Sequence, residues 1–392
     1  MTYQVQIGLE RCLENPPNVL RGARFGLLMN QASVNNTFRY ACDLLAEWGQ
    51  LAALFSPQHG LWCEEQANMI ESPHAQYEPL GLSVYSLYSE TRQPTPDMLR
   101  GLDCLVIDLQ DVGTRVYTFA WTIQNCLRAC AAAKLPVVIL DRPNPLGGLV
   151  AEGPLLEPGH ESFVGGASIP MRHGLTLGEL ARLVNDEQQI GATLEVVPMR
   201  GWTRTMQFND TGRRWVAPSP NMPRVTTAQL YPGQVLLEGS NLSEGRGTTL
   251  PFEVVGAPFI DPHALAQELS GADLPGLAIR PIRFVPTFDK WRDERCGGVA
   301  LHIVDSPAVR SVAMTLQILA AVCRLYPSDF AWLPPPYEYE REKMPIDILF
   351  GSSRLRDRLQ SASGPIDATI RELAYLDERA WWQRVQPYLL YS

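Results

Sequence analysis

Over the first 150 positions the apolar residues come in short unbroken runs, each followed by a polar cluster. Phe25-Gly26-Leu27-Leu28-Met29 runs into Asn30-Gln31-Ala32-Ser33, and Leu51 to Phe55 runs into Ser56-Pro57-Gln58-His59-Gly60. Cys104-Leu105-Val106-Ile107-Asp108-Leu109 ends in Gln110-Asp111-Val112-Gly113-Thr114-Arg115, and Val137-Val138-Ile139-Leu140 ends in Asp141-Arg142-Pro143-Asn144-Pro145. Runs without polar alternation suit strands covered on both faces. Helical spacing fills the stretches from Phe38 to Trp48 and from Trp121 to Lys134. Strands alternating with helices predict right-handed crossovers and a doubly wound, mostly parallel α/β sheet.

Each polar cluster begins where a strand runs out, which is where open α/β sheets bind ligands. Ordinary turn chemistry competes for the same residue types. The candidates on these loops are Asn30, Gln31, Gln58, His59, Asp108, Gln110, Asp111, Arg115, Tyr117, Asp141, Arg142 and Asn144. Neither G-x-G-x-x-G nor G-x-x-x-x-G-K-[ST] follows any of these strands, so nucleotide binding has no motif support.

The stretch 151–260 is rich in loops, including Arg172-His173-Gly174, Pro218-Ser219-Pro220-Asn221-Met222-Pro223 and the Gly-rich run from Glu238 to Thr249. Thr176 with Glu179 three residues on is a capping box and predicts a helix to Asp186. Thr211-Gly212 ahead of Trp215-Val216 predicts a hairpin. The prolines of 218–223 force a rigid irregular loop that could hold Ser219 and Asn221 against a ligand. Further on, Pro262 to Leu269 and Ala308 to Tyr326 read as helices and Gly298 to Ile303 as a strand. An aromatic helix from Ala380 to Tyr391 is expected to pack on the core. The change of texture sets a domain boundary near residue 230.

Composition narrows the function classes. Hydrophobic residues make up 45% of the 392, which excludes disorder as the main state. The balance of 42 acidic to 33 basic residues argues against a nucleic-acid partner. Eight cysteines without a C-x-x-C pair are expected to be buried and reduced, and six scattered histidines give no metal-site spacing. Met1 to Gly8 has neither a basic nor an apolar leader region, and no segment reaches the ~20 apolar residues of a membrane span. The expectation is a cytoplasmic protein with no membrane partner; its oligomeric state stays open.

These loops resemble those of the bacterial exo-β-N-acetylmuramidases, the NamZ family. The matching stretches are Leu28 to Ser33, Pro57 to Gly60, Asp108 to Arg115, Asp141 to Gly148, Arg172 to Gly174, Pro218 to Pro223, Ser243 to Thr249 and Ile346 to Gly351. They occur in family order across nearly the whole chain. The resemblance implies a glycoside hydrolase that removes N-acetylmuramic acid from the non-reducing ends of peptidoglycan fragments, with no cofactor. It also implies a Rossmann-like N-terminal domain, 1–230, and a smaller α+β C-terminal domain, 231–392, that completes the cleft. The family's second loop reads Pro-Glu-His-Gly, with the glutamate a leading catalytic candidate, whereas this chain has Gln58. An amide neither ionises nor donates a carboxylic proton. Three readings therefore remain: a muramidase using another acid, a glycosidase for a different amino sugar, or a non-catalytic sugar binder.

Glycoside hydrolysis usually needs two carboxyl groups, or one acid where the 2-acetamido group acts as nucleophile. Asp108, Asp111, Asp141, Glu64, Glu65, Glu71, Glu238 and Glu244 are available, and Glu244 is favoured because it sits in the Gly-rich run beside Arg246. His59 is a candidate acid, base or hydroxyl ligand. Either Asp108 or Asp111 is expected to orient its loop through backbone N–H groups. The lactyl carboxylate of muramic acid calls for an arginine fork, from Arg115, Arg142, Arg172 or Arg246, with structural pairing as the rival role. His173 belongs with Arg172 as a binding candidate. Asn30, Gln110, Asn144, Ser219 and Asn221 suit sugar hydroxyls and the acetamide. Tyr117 and Trp62 could stack on a sugar, with Trp62 expected to be buried.

Overall fold

A computed structural model describes residues 5–66, 69–360 and 366–392. The first four residues, part of the leader reading, lie outside the described residues. In chain order the strands of the main sheet are β1 (Arg24–Met29), β2 (Gln50–Ser56), β3 (Ala75–Tyr77), β4 (Leu82–Ser86), β5 (Cys104–Asp108) and β6 (Val137–Leu140). A two-stranded ribbon, β7 (Glu152–Leu155) and β8 (Pro170–Arg172), precedes the last strand of that sheet, β9 (Leu194–Val197). The seven strands lie in the order β3-β4-β2-β1-β5-β6-β9. All pairs are parallel except the edge pair β3–β4.

The unbroken apolar runs are explained by two covered faces. Along β5, Cys104 and Val106 join one core cluster while Leu105 and Ile107 join the other, as a period of two requires. Helices Gly8–Glu14 and Ala41–Trp48 cover the first face; Phe119–Ala133 and Leu177–Glu187 cover the second. The chain leaves β1 toward β2, then returns to place β5 on the other side of β1. That reversal puts the topological switch point at the carboxyl ends of β1 and β5.

The smaller C-terminal part is built on an antiparallel sheet of β10 (Val254–Ala257), β11 (Leu277–Phe284) and β12 (Cys296–Ile303), ordered β10-β12-β11. Its Val255, Val299 and Leu301 belong to the same apolar cluster as Ile107 and Ile139 of the main sheet, so one core runs through both. Helix Ser311–Leu325 contributes Leu316, Leu319 and Val322 to it.

Several local expectations match. Thr176 accepts from the Glu179 backbone while Glu179 reaches back, closing the capping box. All eight cysteines are free and seven are buried. Trp381 is buried on the core. Others need correction. No hairpin forms at 211–216: Phe208–Thr211 is a 3-10 turn that ends at Gly212 in the left-handed region. The aromatic helix stops at Val385, and a 3-10 turn Gln386–Tyr388 follows, because Pro387 cannot continue it. Phe38 does not open a helix; it sits at φ +60, and the helix begins at Ala41. Among the described residues no helix is long and apolar enough to cross a membrane.

Candidate active site

Most of the strand-end residues turn out to be bonded to one another. After β1, the Asn30 amide donates to the Pro218 carbonyl (2.8 Å) and Gln31 to the Ala217 carbonyl (2.9 Å), tying that loop to the proline-rich one. At the end of β5, Asp108 takes a bidentate pair from Arg142, Nε to Oδ1 2.6 Å and Nη2 to Oδ2 2.7 Å. Asp111 accepts from the Gly113 backbone (2.9 Å), so of the two aspartates it is the one that orients the loop. Gln110 donates to the Asp111 and Pro143 carbonyls, and Asn144 to the Leu175 carbonyl. Asp141 caps the helix after Thr176, accepting from the Thr176 hydroxyl, the Gly178 backbone and the Tyr391 hydroxyl. Burial pushes its pKa up to about 6, against these hydrogen bonds. His173 Nδ1 accepts from the Leu175 backbone, and its ring lies 3.5 Å from Asp111.

The arginines divide sharply. Arg115 is fully buried and donates to four carbonyls, those of Pro154, Ile169, Leu349 and Phe350, at 2.8–3.0 Å. Its rival role had been expected to be an aspartate pair; backbone oxygens take that place. Arg172 is buried, donates to the Leu146 carbonyl and lies beside Glu152. Arg142 is held by Asp108. Trp62, expected to be buried, is 44% exposed and stacks edge-on against Tyr40. The strand before it ends in a turn that leads the ring outward.

Arg246 is different. It lines an enclosed pocket together with Gln58, His59, Glu238, Tyr337 and Glu338. Thr118, Ser219, Asn221 and Tyr117 add polar groups to the wall, and apolar and aromatic side chains such as Met222, Tyr231 and Phe252 make up the rest. The pocket thus gathers the loop after β2, the loop after β5, the proline-rich loop and the C-terminal part. Its volume is about 40 Å³, room for a few water-sized groups.

Gly245 makes the turn that sends Arg246 inward. It sits at φ +84, and a Cβ there would lie 2.7 Å from the Leu250 carbonyl, so glycine is required. Arg246 Nη2 bonds Glu238 at 2.7 Å, and its Nε lies 3.2 Å from Glu244. Burial works against its charge, but Glu238 and Glu244 outweigh that and push its pKa up. Nη1 is buried and makes no hydrogen bond among the described residues. Glu244 itself is 1% exposed, between Arg246 and Lys290 (2.7 Å), and does not line this pocket. Glu238, a candidate on sequence, does: it also accepts from the Tyr337 hydroxyl at 2.7 Å.

Glu338 was missed by sequence reasoning. It lies in Pro334-Pro335-Pro336-Tyr337-Glu338-Tyr339, a proline run with aromatic and acidic residues that parallels the 218–223 loop. Its carboxyl accepts from the Tyr88 hydroxyl at 2.8 Å and from Gln58 Nε2 at 3.2 Å. Gln58 Oε1 in turn accepts from Thr118 at 2.7 Å, which fixes the amide's orientation. Burial raises the Glu338 pKa against the hydrogen bonds from Tyr88 and Gln58, and Glu238 adds to the rise. His59 Nδ1 donates to the Glu65 carbonyl at 2.8 Å, which leaves Nε2 as an acceptor. Burial pushes the His59 pKa down to about 4, so it is neutral at physiological pH and no acid. His59 and Glu338 both carry positive φ, +74 and +44. Backbone strain of this kind gathers at functional sites.

The fold and pocket define a doubly wound α/β protein with a carboxylate-walled cleft at its strand ends. The chain belongs to the exo-β-N-acetylmuramidase NamZ family: residues 25–226 match the family's N-terminal model and residues 229–391 its C-terminal model. It is 44% identical over 332 residues to the peptidoglycan β-N-acetylmuramidase NamZ of Bacillus subtilis (strain 168), covering 84% of this chain and 80% of that one. Two crystal structures of DUF1343 family proteins from Bacteroides fragilis share the fold. One superposes with a TM-score of 0.88 at 34% identity, the other with 0.76 at 27%, each covering 99% of both chains.

Proposed function

We propose that this protein is an exo-β-N-acetylmuramidase, a glycosidase that releases N-acetylmuramic acid from the non-reducing end of peptidoglycan fragments. Family membership and the name of the Bacillus subtilis relative support the activity. The observation that carries the site assignment is two carboxyl groups facing one pocket in opposite environments. Burial and the neighbouring Glu238 favour the protonated form of Glu338, against the hydrogen bonds it accepts from Tyr88 and Gln58. Glu238 is paired with Arg246. Environments that split two carboxyls in this way assign acid and base.

Glu338 is therefore the proton donor to the leaving oxygen, and Glu238 the carboxylate that serves the opposite step. Gln58 holds the Glu338 carboxyl in place, and it is not itself an acid. This answers the glutamine where the family carries glutamate: the acid is supplied from the C-terminal part. Arg246 Nη1, buried and unpartnered among the described residues, is the donor for the lactyl carboxylate. His59 Nε2 is left for a hydroxyl or the acetamide, as is the Oδ1 of Asn221, whose Nδ2 donates to the Gln66 carbonyl at 2.8 Å; Ser219 lines the pocket bonded to Tyr117. A sugar ring exceeds 40 Å³, so its seating displaces part of the wall. In the same reading the domain boundary falls near residue 230, and the cleft draws on both sides of it.

The test is incubation with N-acetylmuramyl-β-1,4-N-acetylglucosamine, reading free muramic acid by mass spectrometry. Release that is lost in Glu238→Gln supports the reading. Binding of the disaccharide without release would make the protein a sugar binder.

A further inference from the structure

Next to the enclosed pocket, and sharing Glu338 with it, lies an open cavity of about 490 Å³. The cavity has an aromatic side. Tyr339 is 48% exposed, and Phe163 and the Arg92 guanidinium lie beside it. Arg92 is stacked 4.0 Å from the Tyr339 ring centre and 4.5 Å from that of Tyr88. It donates to the Ser89 carbonyl and pairs with Glu71 at 3.1 Å, so its charge is spoken for. The remaining charged groups, Glu90 and Glu340, are acidic.

We propose that this cavity is the subsite for the leaving sugar, a neutral 2-acetamido pyranose. The proposal rests on the glycosidase reading above. Three observations carry it. The volume accepts a ring as it stands, in the range of small-molecule sites, whereas the enclosed pocket does not. An aromatic face suits the apolar face of a pyranose. The acidic rim disfavours a carboxylate, so the muramyl residue with its lactyl group is turned toward Arg246 and the neutral residue toward Tyr339. Glu338 then stands between the two sugars. As the glycosidic C–O bond breaks, its proton passes to the departing oxygen in the open cavity. Water supplies hydroxide to the anomeric carbon, Glu238 takes the water's other proton, and exchange with solvent returns both carboxyls to their starting states.

The experiment compares two substrates: the muramyl-N-acetylglucosamine disaccharide and β-N-acetylmuramyl fluoride, whose leaving group does not reach the cavity. For Tyr339→Ala, the ratio of kcat/KM on disaccharide to kcat/KM on fluoride should fall roughly tenfold. Phe163→Ala, at the cavity edge, should move the ratio the same way and guards against a misfolded first variant. An unchanged ratio in both variants overturns the subsite. A fall with Glu71→Gln and Glu340→Gln, but not with the aromatic variants, also overturns it, since the occupant would then be cationic. If the unaltered protein cleaves neither substrate, the glycosidase reading fails and takes the subsite with it. Cleavage of both with an unchanged ratio leaves that reading standing without the subsite.

Discussion

The strand-end loops of the main sheet and the pocket around Glu338 hold the same residue types to opposite ends. In the loops, Asp108 meets Arg142, Asp141 meets Thr176 and Tyr391, and Arg115 meets four carbonyls. In the pocket, Arg246 Nη1 is buried without a hydrogen bond among the described residues, and Glu338 is buried beside an amide and a phenol. Unsatisfied buried atoms cost free energy wherever they lie, and Arg115 Nε and Asp111 Oδ1 of the loops are among them; what sets Arg246 apart is that it lines a pocket a ligand can enter. The difference teaches that polar density at a strand end is a poor guide to chemistry until the partners are counted.

Substitutions should therefore separate cleanly: loop variants lose stability and keep turnover per folded molecule, and pocket variants do the reverse. The largest loss is expected for Arg115→Met, which takes the guanidinium donors from four buried carbonyls, that of Ile169 keeping the Leu156 N–H. At roughly 1–3 kcal/mol for each unsatisfied group, the chain should fail to fold, seen as loss of the cooperative thermal transition. Asp108→Asn breaks a buried bidentate pair and leaves Arg142 uncompensated. About 3–5 kcal/mol is expected from chemical denaturation.

Asp141 sharpens the comparison through pH. Its folded pKa of about 6 lies above the ~3.9 of an unfolded aspartate. Between these values the folded state binds more protons than the unfolded one, so stability falls as pH rises from about 4 to 6. The total is about 3 kcal/mol at ~1.4 kcal/mol per unit. Asp141→Asn should remove that slope from urea titrations across the window. The smallest effect belongs to Trp62→Ala. The ring is half out in solvent, and a stability change within about 1 kcal/mol is expected by thermal melting.

Much of the fold was legible in the sequence. The unbroken runs at 25–29, 104–109 and 137–140 are strands because both faces are covered, and Thr176 with Glu179 begins a helix because that pair satisfies two free N–H groups. The edge strand β3, its neighbour β4 and the ribbon β7–β8 were not read, being short and set by tertiary pairing rather than by pattern. The site was half legible. Gln58, His59, Tyr117, Ser219, Asn221 and Arg246 were singled out and line the pocket. Glu338 was not, because its meaning depends on a contact with a residue 280 positions away. Glu244 and Glu238 lie in one Gly-rich run of sequence, and the structure separates them: Glu238 sits in a 3-10 turn, Val235–Gly239, and lines the pocket, while Glu244 lies in the loop beyond it. Arg115 could not be told from Arg246, since backbone carbonyls leave no trace in the residue types around them.

The central claim is that Glu338 supplies the proton that Gln58 cannot. The most direct measurement is kcat of Glu338→Gln on the disaccharide, taken beside its melting temperature. The account predicts a fall of about 10²–10⁴-fold, the usual worth of a general acid, with the melting temperature unchanged or raised because a buried acid has been relieved. A variant that is equally stable and equally active would contradict it, and would place the acid elsewhere in the cleft.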